Sequence, residues 1–75
     1  MEEKIISILD DYNEAIKDYK GENMMADGLL DSFELIGIVS DLEEEFDIEI
    51  DAKYVVTKNF ANKDAVVALV KQLVG

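Results

Sequence analysis

Residues 31–46 read Asp-Ser-Phe-Glu-Leu-Ile-Gly-Ile-Val-Ser-Asp-Leu-Glu-Glu-Glu-Phe, and the fold turns on how this stretch is read. Leu35, Ile38/Val39, Leu42 and Phe46 recur at steps of three and four, the spacing of one helical face, with Ile36 on its flank. A helix is predicted from about Ser32 to Phe46. Asp31 or Ser32 is suited to cap its start, because a short side-chain oxygen there accepts an N–H that the first turn leaves unpaired. Glu34 lies in the first turn, where a carboxylate meets the positive end of the helix dipole. Gly37 costs roughly 1 kcal/mol relative to Ala inside a helix. Close packing or local flexibility would each explain its presence.

Upstream, residues 21–31 carry two Gly, an Asn and two Asp, and read as a long loop. Its Met24, Met25, Leu29 and Leu30 are apolar, so the loop is expected to be pinned to the core. A first helix is predicted over Glu2 to Tyr19, from Ile5, Ile8/Leu9, Tyr12, Ile16 and Tyr19. Glu2 and Glu3 in its first turn and Lys17 and Lys20 in its last suit the dipole, and Gly21 follows as the expected C-cap. Downstream, residues 46–52 alternate apolar and acidic like a strand. No partner strand is evident, so an extended connection burying Ile48 and Ile50 is expected. Tyr54 to Phe60 reads ambiguously, with Thr57 able to cap a single short turn ending near Phe60. Asn62 then caps a last helix over Lys63 to Val74, whose Ala65, Val66, Leu69, Val70 and Leu73 form the apolar face. The expected fold is all-α: a small four-helix bundle of three longer helices and one short one, with a long loop between the first two.

The 75 residues form one domain, 1–75, with a small core; a chain this short buries roughly 60% of its unfolded surface. The 49% hydrophobic share is too high for a disordered acidic tail. No Cys is present, so there is no disulfide, thiolate metal site or cysteine nucleophile. No His is present either, which removes imidazole ligands, an imidazole base and a Ser-His-Asp triad. A net charge of −11 opposes binding to nucleic acid and to anionic membranes, and favours basic protein partners. The start, MEEKIISIL, has neither the positive charge nor the apolar run of a signal peptide, and no stretch approaches a membrane span. A cytoplasmic monomer, without membrane insertion, is expected.

Three groups of residues invite a chemical reading. Glu43-Glu44-Glu45 with Asp47, Glu49 and Asp51 resembles a calcium loop in charge, yet no window supplies the alternating ligands, central Gly and terminal Glu of that loop. No metal site is expected, and a solvated acidic face is the plainer reading. A paired-carboxylate hydrolase lacks a second catalytic element. Among the hydroxyls, Ser7, Ser40 and Thr57 suit surface or capping positions, whereas Ser32 opens a helix after a loop. A phosphate ester on Ser32 would meet the unpaired N–H groups and the positive end of that helix. Taken alone, Asp31-Ser32 reads more plainly as an N-cap.

Gly28-Leu29-Leu30-Asp31-Ser32-Phe33, then Glu34 and the helix to Glu43-Glu44-Glu45-Phe46-Asp47-Ile48-Glu49-Ile50, resembles the phosphopantetheine attachment region of the acyl carrier protein family. Val56-Thr57-Lys58-Asn59-Phe60, Asp64-Ala65 and Leu69-Val70 resemble that family's short third helix and its fourth helix. The likeness is close over residues 28–74; over the first helix it is one of length and pattern only. It implies a carrier rather than an enzyme. Ser32 would be the attachment site of 4′-phosphopantetheine, delivered from coenzyme A by a phosphopantetheinyl transferase, with Asp31 assisting that reaction. The arm's thiol would hold acyl groups as thioesters for fatty-acid or related biosynthesis, giving a chain without Cys a borrowed thiol. Phe33, Glu34, Glu43 and Glu44 match positions that the family presents to partner enzymes with basic docking patches. Acids on an exposed helix speed such encounters more than they tighten them.

Some residues depart from fatty-acid carriers. Phe33 stands where Leu is frequent, Gly37 where an acid is frequent, and Lys53 and Lys58 dilute the acidity of the third-helix region. Asp-Ser-Phe also occurs in D-alanyl carriers, so an aminoacyl carrier is the alternative. A more distant one is an acidic interaction module without a prosthetic group. Ile36, Val39, Ile50 and Ala61 either line a cavity for an acyl chain or form plain core.

Overall fold

Three α-helices form where apolar residues recur at helical spacing: α1 (Glu2–Tyr12), α2 (Ser32–Phe46) and α3 (Lys63–Val74). They are described, with every connection over residues 1–75, by a computed structural model. The architecture is all-helical, without a strand. α1 packs against both α2 and α3. Ile5 and Leu9 of α1, Ile38 and Leu42 of α2, and Val66, Val67, Leu69 and Val70 of α3 are buried in one core. Ile16, Met24, Leu30, Ile50 and Phe60 complete it from outside the α-helices. The connections are therefore part of the core. No helix is long and apolar enough to cross a membrane.

The first helix is shorter than its apolar repeat predicts. α1 stops at Tyr12, Asn13 turns extended (φ −161°, ψ 112°), and Glu14–Asp18 form a separate 3₁₀ turn. The cause is Asn13, whose short amide competes with the helix for backbone partners. Its Oδ1 accepts the Ala15 N–H at 2.9 Å, and its Nδ2 donates to Leu29 O at 3.1 Å. Ile16 still reaches the core from the 3₁₀ turn, which is why the repeat runs on past the break. Gly21 accordingly caps nothing; a Cβ there would run into the Tyr19 phenol.

The loop after it is held from several sides. Tyr19 Oη donates to Asp27 Oδ2 and accepts the Asn23 N–H. The hydrogen bond to Asp27, which only the protonated phenol can donate, raises the pKa of Tyr19, with desolvation adding to it. Met24 is fully buried, its N–H donates to Ala61 O at 2.8 Å, and Asn62 Nδ2 donates to Gly21 O at 3.0 Å. The expected pinning to the core is therefore found. Gly28 has φ 83°, a backbone conformation that other residues rarely adopt.

After a turn at Asp47, residues 48–51 form a connection with no partner strand, burying Ile50 and half-burying Ile48 as expected. Asp47 leaves α2 in the left-handed region (φ 52°). The short helix expected near Tyr54–Phe60 resolves instead into two 3₁₀ turns, Ala52–Tyr54 and Thr57–Phe60. Thr57 is the first residue of the second turn and not its cap; Val56 holds that position without a side-chain bond. The β-branched run Val55-Val56-Thr57 disfavours a longer helix. Asn62 caps α3 as predicted, its Oδ1 accepting the Ala65 N–H at 2.9 Å.

Candidate functional site

α2 begins with a reciprocal cap. Asp31 Oδ1 accepts the Glu34 N–H at 2.8 Å, and Glu34 Oε1 accepts the Asp31 N–H at 3.2 Å. This capping box satisfies one donor of the first turn and one just before it. Of the two residues suited to the cap, Asp31 takes the role. Ser32 is left exposed as the first residue of the helix, and its hydroxyl makes no hydrogen bond within the chain. The Ser32 and Phe33 N–H groups point out of the helix start without partners.

Phe33 is 85% exposed and Ile36, one turn on, is 65% exposed. Two large apolar side chains thus stand in water beside Ser32. Glu34 is half-buried in its capping role, and Glu44 is exposed farther along the helix. Glu43 is half-buried: its Oε2 accepts the Ile50 N–H at 2.8 Å, and its carbonyl accepts the Ile48 N–H at 3.1 Å. The residues proposed for partners therefore divide. Phe33 and Glu44 face water, while Glu34 and Glu43 also hold the backbone.

Gly37 is explained by packing. A Cβ there would lie 2.6 Å from Tyr12 Oη and 3.0 Å from its ring. The Tyr12 phenol fills that space and donates to Asp41 Oδ2 at 2.6 Å, joining the end of α1 to α2. That bond, then burial and the nearby charges of Asp41, Asp11 and Glu34, push the phenol pKa up to about 12.

Ile8 and Asp11 of α1 face Asp41, Glu44 and Glu45 of α2 across an open groove of about 400 Å³. Its Asp41 end lies about 14 Å along the helix axis from Ser32, at 1.5 Å per residue. No three acids are placed to hold a metal ion. Of the four residues Ile36, Val39, Ile50 and Ala61, Ile36 points to water, Ile50 is buried in the core, Val39 and Ala61 are half-buried, and none lines the acidic groove.

Chemically, Ser32 is an accessible hydroxyl without a base. The one neighbouring carboxylate with a helical role, Asp31, is engaged by the Glu34 N–H. A serine so placed becomes a nucleophile only when another molecule supplies the base. A phosphate ester fits there, since two free N–H groups and the positive end of a 15-residue helix stand beside the hydroxyl. The residue that sequence reasoning placed differently is Asn13, which reaches this segment through Leu29. Its signal was a poor helix former inside an apolar repeat.

No protein-family model matches the chain, and no curated protein matches it.

Proposed function

We propose that this protein is a carrier that takes a 4′-phosphopantetheine arm on Ser32 and delivers thioester-bound acyl groups to partner enzymes. The observation that carries the reading is the division of labour at the start of α2. Asp31 does the capping, so the exposed Ser32 hydroxyl has no structural duty. In the attachment step Ser32 Oγ bonds to the β-phosphorus of coenzyme A as the pyrophosphate P–O bond breaks and the nucleotide leaves. The hydroxyl proton passes to the transferase. When bound, the arm supplies a thiol for thioester chemistry. The chain's own part is to present Ser32, to offer the Ser32 and Phe33 N–H groups to the phosphodiester, and to dock.

Docking falls to the exposed pair Phe33 and Ile36 and to acids such as Glu44, which suit enzymes with basic patches and an apolar socket. Glu34 and Glu43 add charge while holding the backbone. The four-helix arrangement of a carrier belongs to this proposal, with the two 3₁₀ turns over residues 52–60 in place of the short helix. Phe33 after the serine, as in D-alanyl carriers, supports an aminoacyl cargo, such as D-alanine, as the second reading.

Incubation with coenzyme A, Mg²⁺ and a broad-specificity transferase, followed by intact mass, tests the proposal. The expected result is one phosphopantetheine increment, absent in Ser32→Ala. No increment, or one that survives the substitution, rejects it and leaves a charged interaction module. Loading of the product by adenylating amino-acid ligases or by fatty-acyl synthetases then separates the two cargos.

A further inference from the structure

We infer that Asn13 is the positioning residue for Ser32, an inference that rests on the carrier reading. Besides the backbone bond in which its carbonyl accepts the Ile16 N–H at 3.1 Å, Asn13 makes three hydrogen bonds. Its N–H donates to Leu9 O at 3.1 Å and closes α1. Its Oδ1 accepts from Ala15 and opens the 3₁₀ turn. Its Nδ2 donates to Leu29 O at 3.1 Å, across 16 positions of sequence, in a partly buried setting. The first two are local. The third is the only side-chain bond that the rest of the fold makes to residues 28–32, outside the capping box.

Ser32 has no bond of its own to fix its direction. Its placement is set by the first turn of α2 and by the run that enters it. Leu29 is held at both ends, donating its N–H to Met24 O at 2.8 Å and accepting from Asn13. Leu30 is buried, and the Asp31 N–H is engaged by Glu34. Capping box and burial fix the helix start locally. Of the side-chain hydrogen bonds from the end of α1, Tyr12 to Asp41 holds the middle of α2 and Asn13 to Leu29 holds the run that enters Ser32, so Asn13 sets how that run meets the helix that presents Phe33, Ile36 and Glu44. Group transfer onto a hydroxyl depends on its approach direction, and a displacement of about 1 Å is costly to rate. Asn13 therefore acts on Ser32 through Leu29 without touching the reacting atoms.

The discriminating variant is Asn13→Asp. A carboxylate still accepts the Ala15 N–H, but it cannot donate to Leu29 O and sets a negative charge against it. Asn13→Ser, short enough to reach Ala15 only, is the second variant should the first fold poorly. Two readouts are taken on the full chain: transferase kinetics with coenzyme A, corrected for folded fraction, and amide exchange over residues 29–35. The expected result is a fall in kcat of about fivefold, the scale of one hydrogen bond, with KM near wild type. Protection is lost at Leu29–Leu35 in parallel.

A role confined to stability would lower the folded fraction and leave the corrected kcat alone. Wild-type kcat in both variants, or unchanged exchange protection, overturns the assignment. A wild-type chain that takes no arm overturns the carrier reading and the assignment with it. Normal wild-type modification beside variants of unchanged kcat overturns the assignment alone.

Discussion

α2 and α3 begin alike and are used differently. Each has a short polar cap whose side chain accepts the N–H three residues on: Asp31 from Glu34, Asn62 from Ala65. The second bond of each cap is where they part. Asp31 closes a local box with Glu34. Asn62 reaches back 41 positions to Gly21, beside the bond from Met24 to Ala61. The start of α3 is thus a joint of the fold, with Lys63 half-buried and Val66 and Val67 in the core. The start of α2 satisfies itself and leaves Ser32 and Phe33 to solvent. The same capping chemistry serves tertiary structure in one place and frees a hydroxyl in the other. What separates them is whether the cap spends its remaining hydrogen-bonding capacity near or far.

The comparison can be broken at three points. Met24→Ala removes a fully buried side chain from the segment tied to α3 and should cost about 2–5 kcal/mol by denaturant titration. A cost under about 1 kcal/mol would mean that the loop is not part of the joint. Next come the caps. Asn62→Ala loses the cap and leaves Gly21 O unpaired, about 2 kcal/mol; Asp31→Ala loses a local cap only, about 1 kcal/mol. Equal losses in the same titration would erase the distinction.

The smallest effect is alkaline. The folded chain holds the Tyr12 proton up to about pH 12, whereas an unfolded phenol releases it near 10.0, so stability should fall as pH rises between them. Tyr12→Phe keeps the ring on Gly37 and should reduce that decline, leaving the part owed to Tyr19. Amide exchange should locate the loosening between α1 and α2, away from Asn62. Loosening at α3 first would count against the two starts being independent.

The bounds of α2 and α3 and the cap of α3 were legible because period and capping are local properties. The same holds for the choice between Asp31 and Ser32, narrowed to two residues by chemistry and decided by geometry. The break at Asn13 was not legible. Its reason lies 16 residues away at Leu29 O, and the apolar repeat continues through Ile16 as if nothing happened. Gly37 carried two readings until Tyr12 was seen to occupy its missing side chain. The stretch 52–60 mixed helix and turn signals, and it settled as two turns. For the candidate site, the exposed position of Ser32 at the start of α2 was visible from its place after Asp31. That Glu43 holds Ile50 depends on how the chain folds back, which no spacing announces.

With no cysteine, the chain's own sulfur is three thioethers. Met1 is half exposed and Met25 lies partly covered at the edge of the core, but Met24 is sealed. Peroxide reaching the native protein finds the first two readily, and each tolerates a polar sulfoxide at the surface. Met24 is oxidised only when the loop between α1 and α2 opens. Its sulfoxide could not return to the same apolar site, so a single oxygen atom there would record that opening and make it persistent until a reductase removed it.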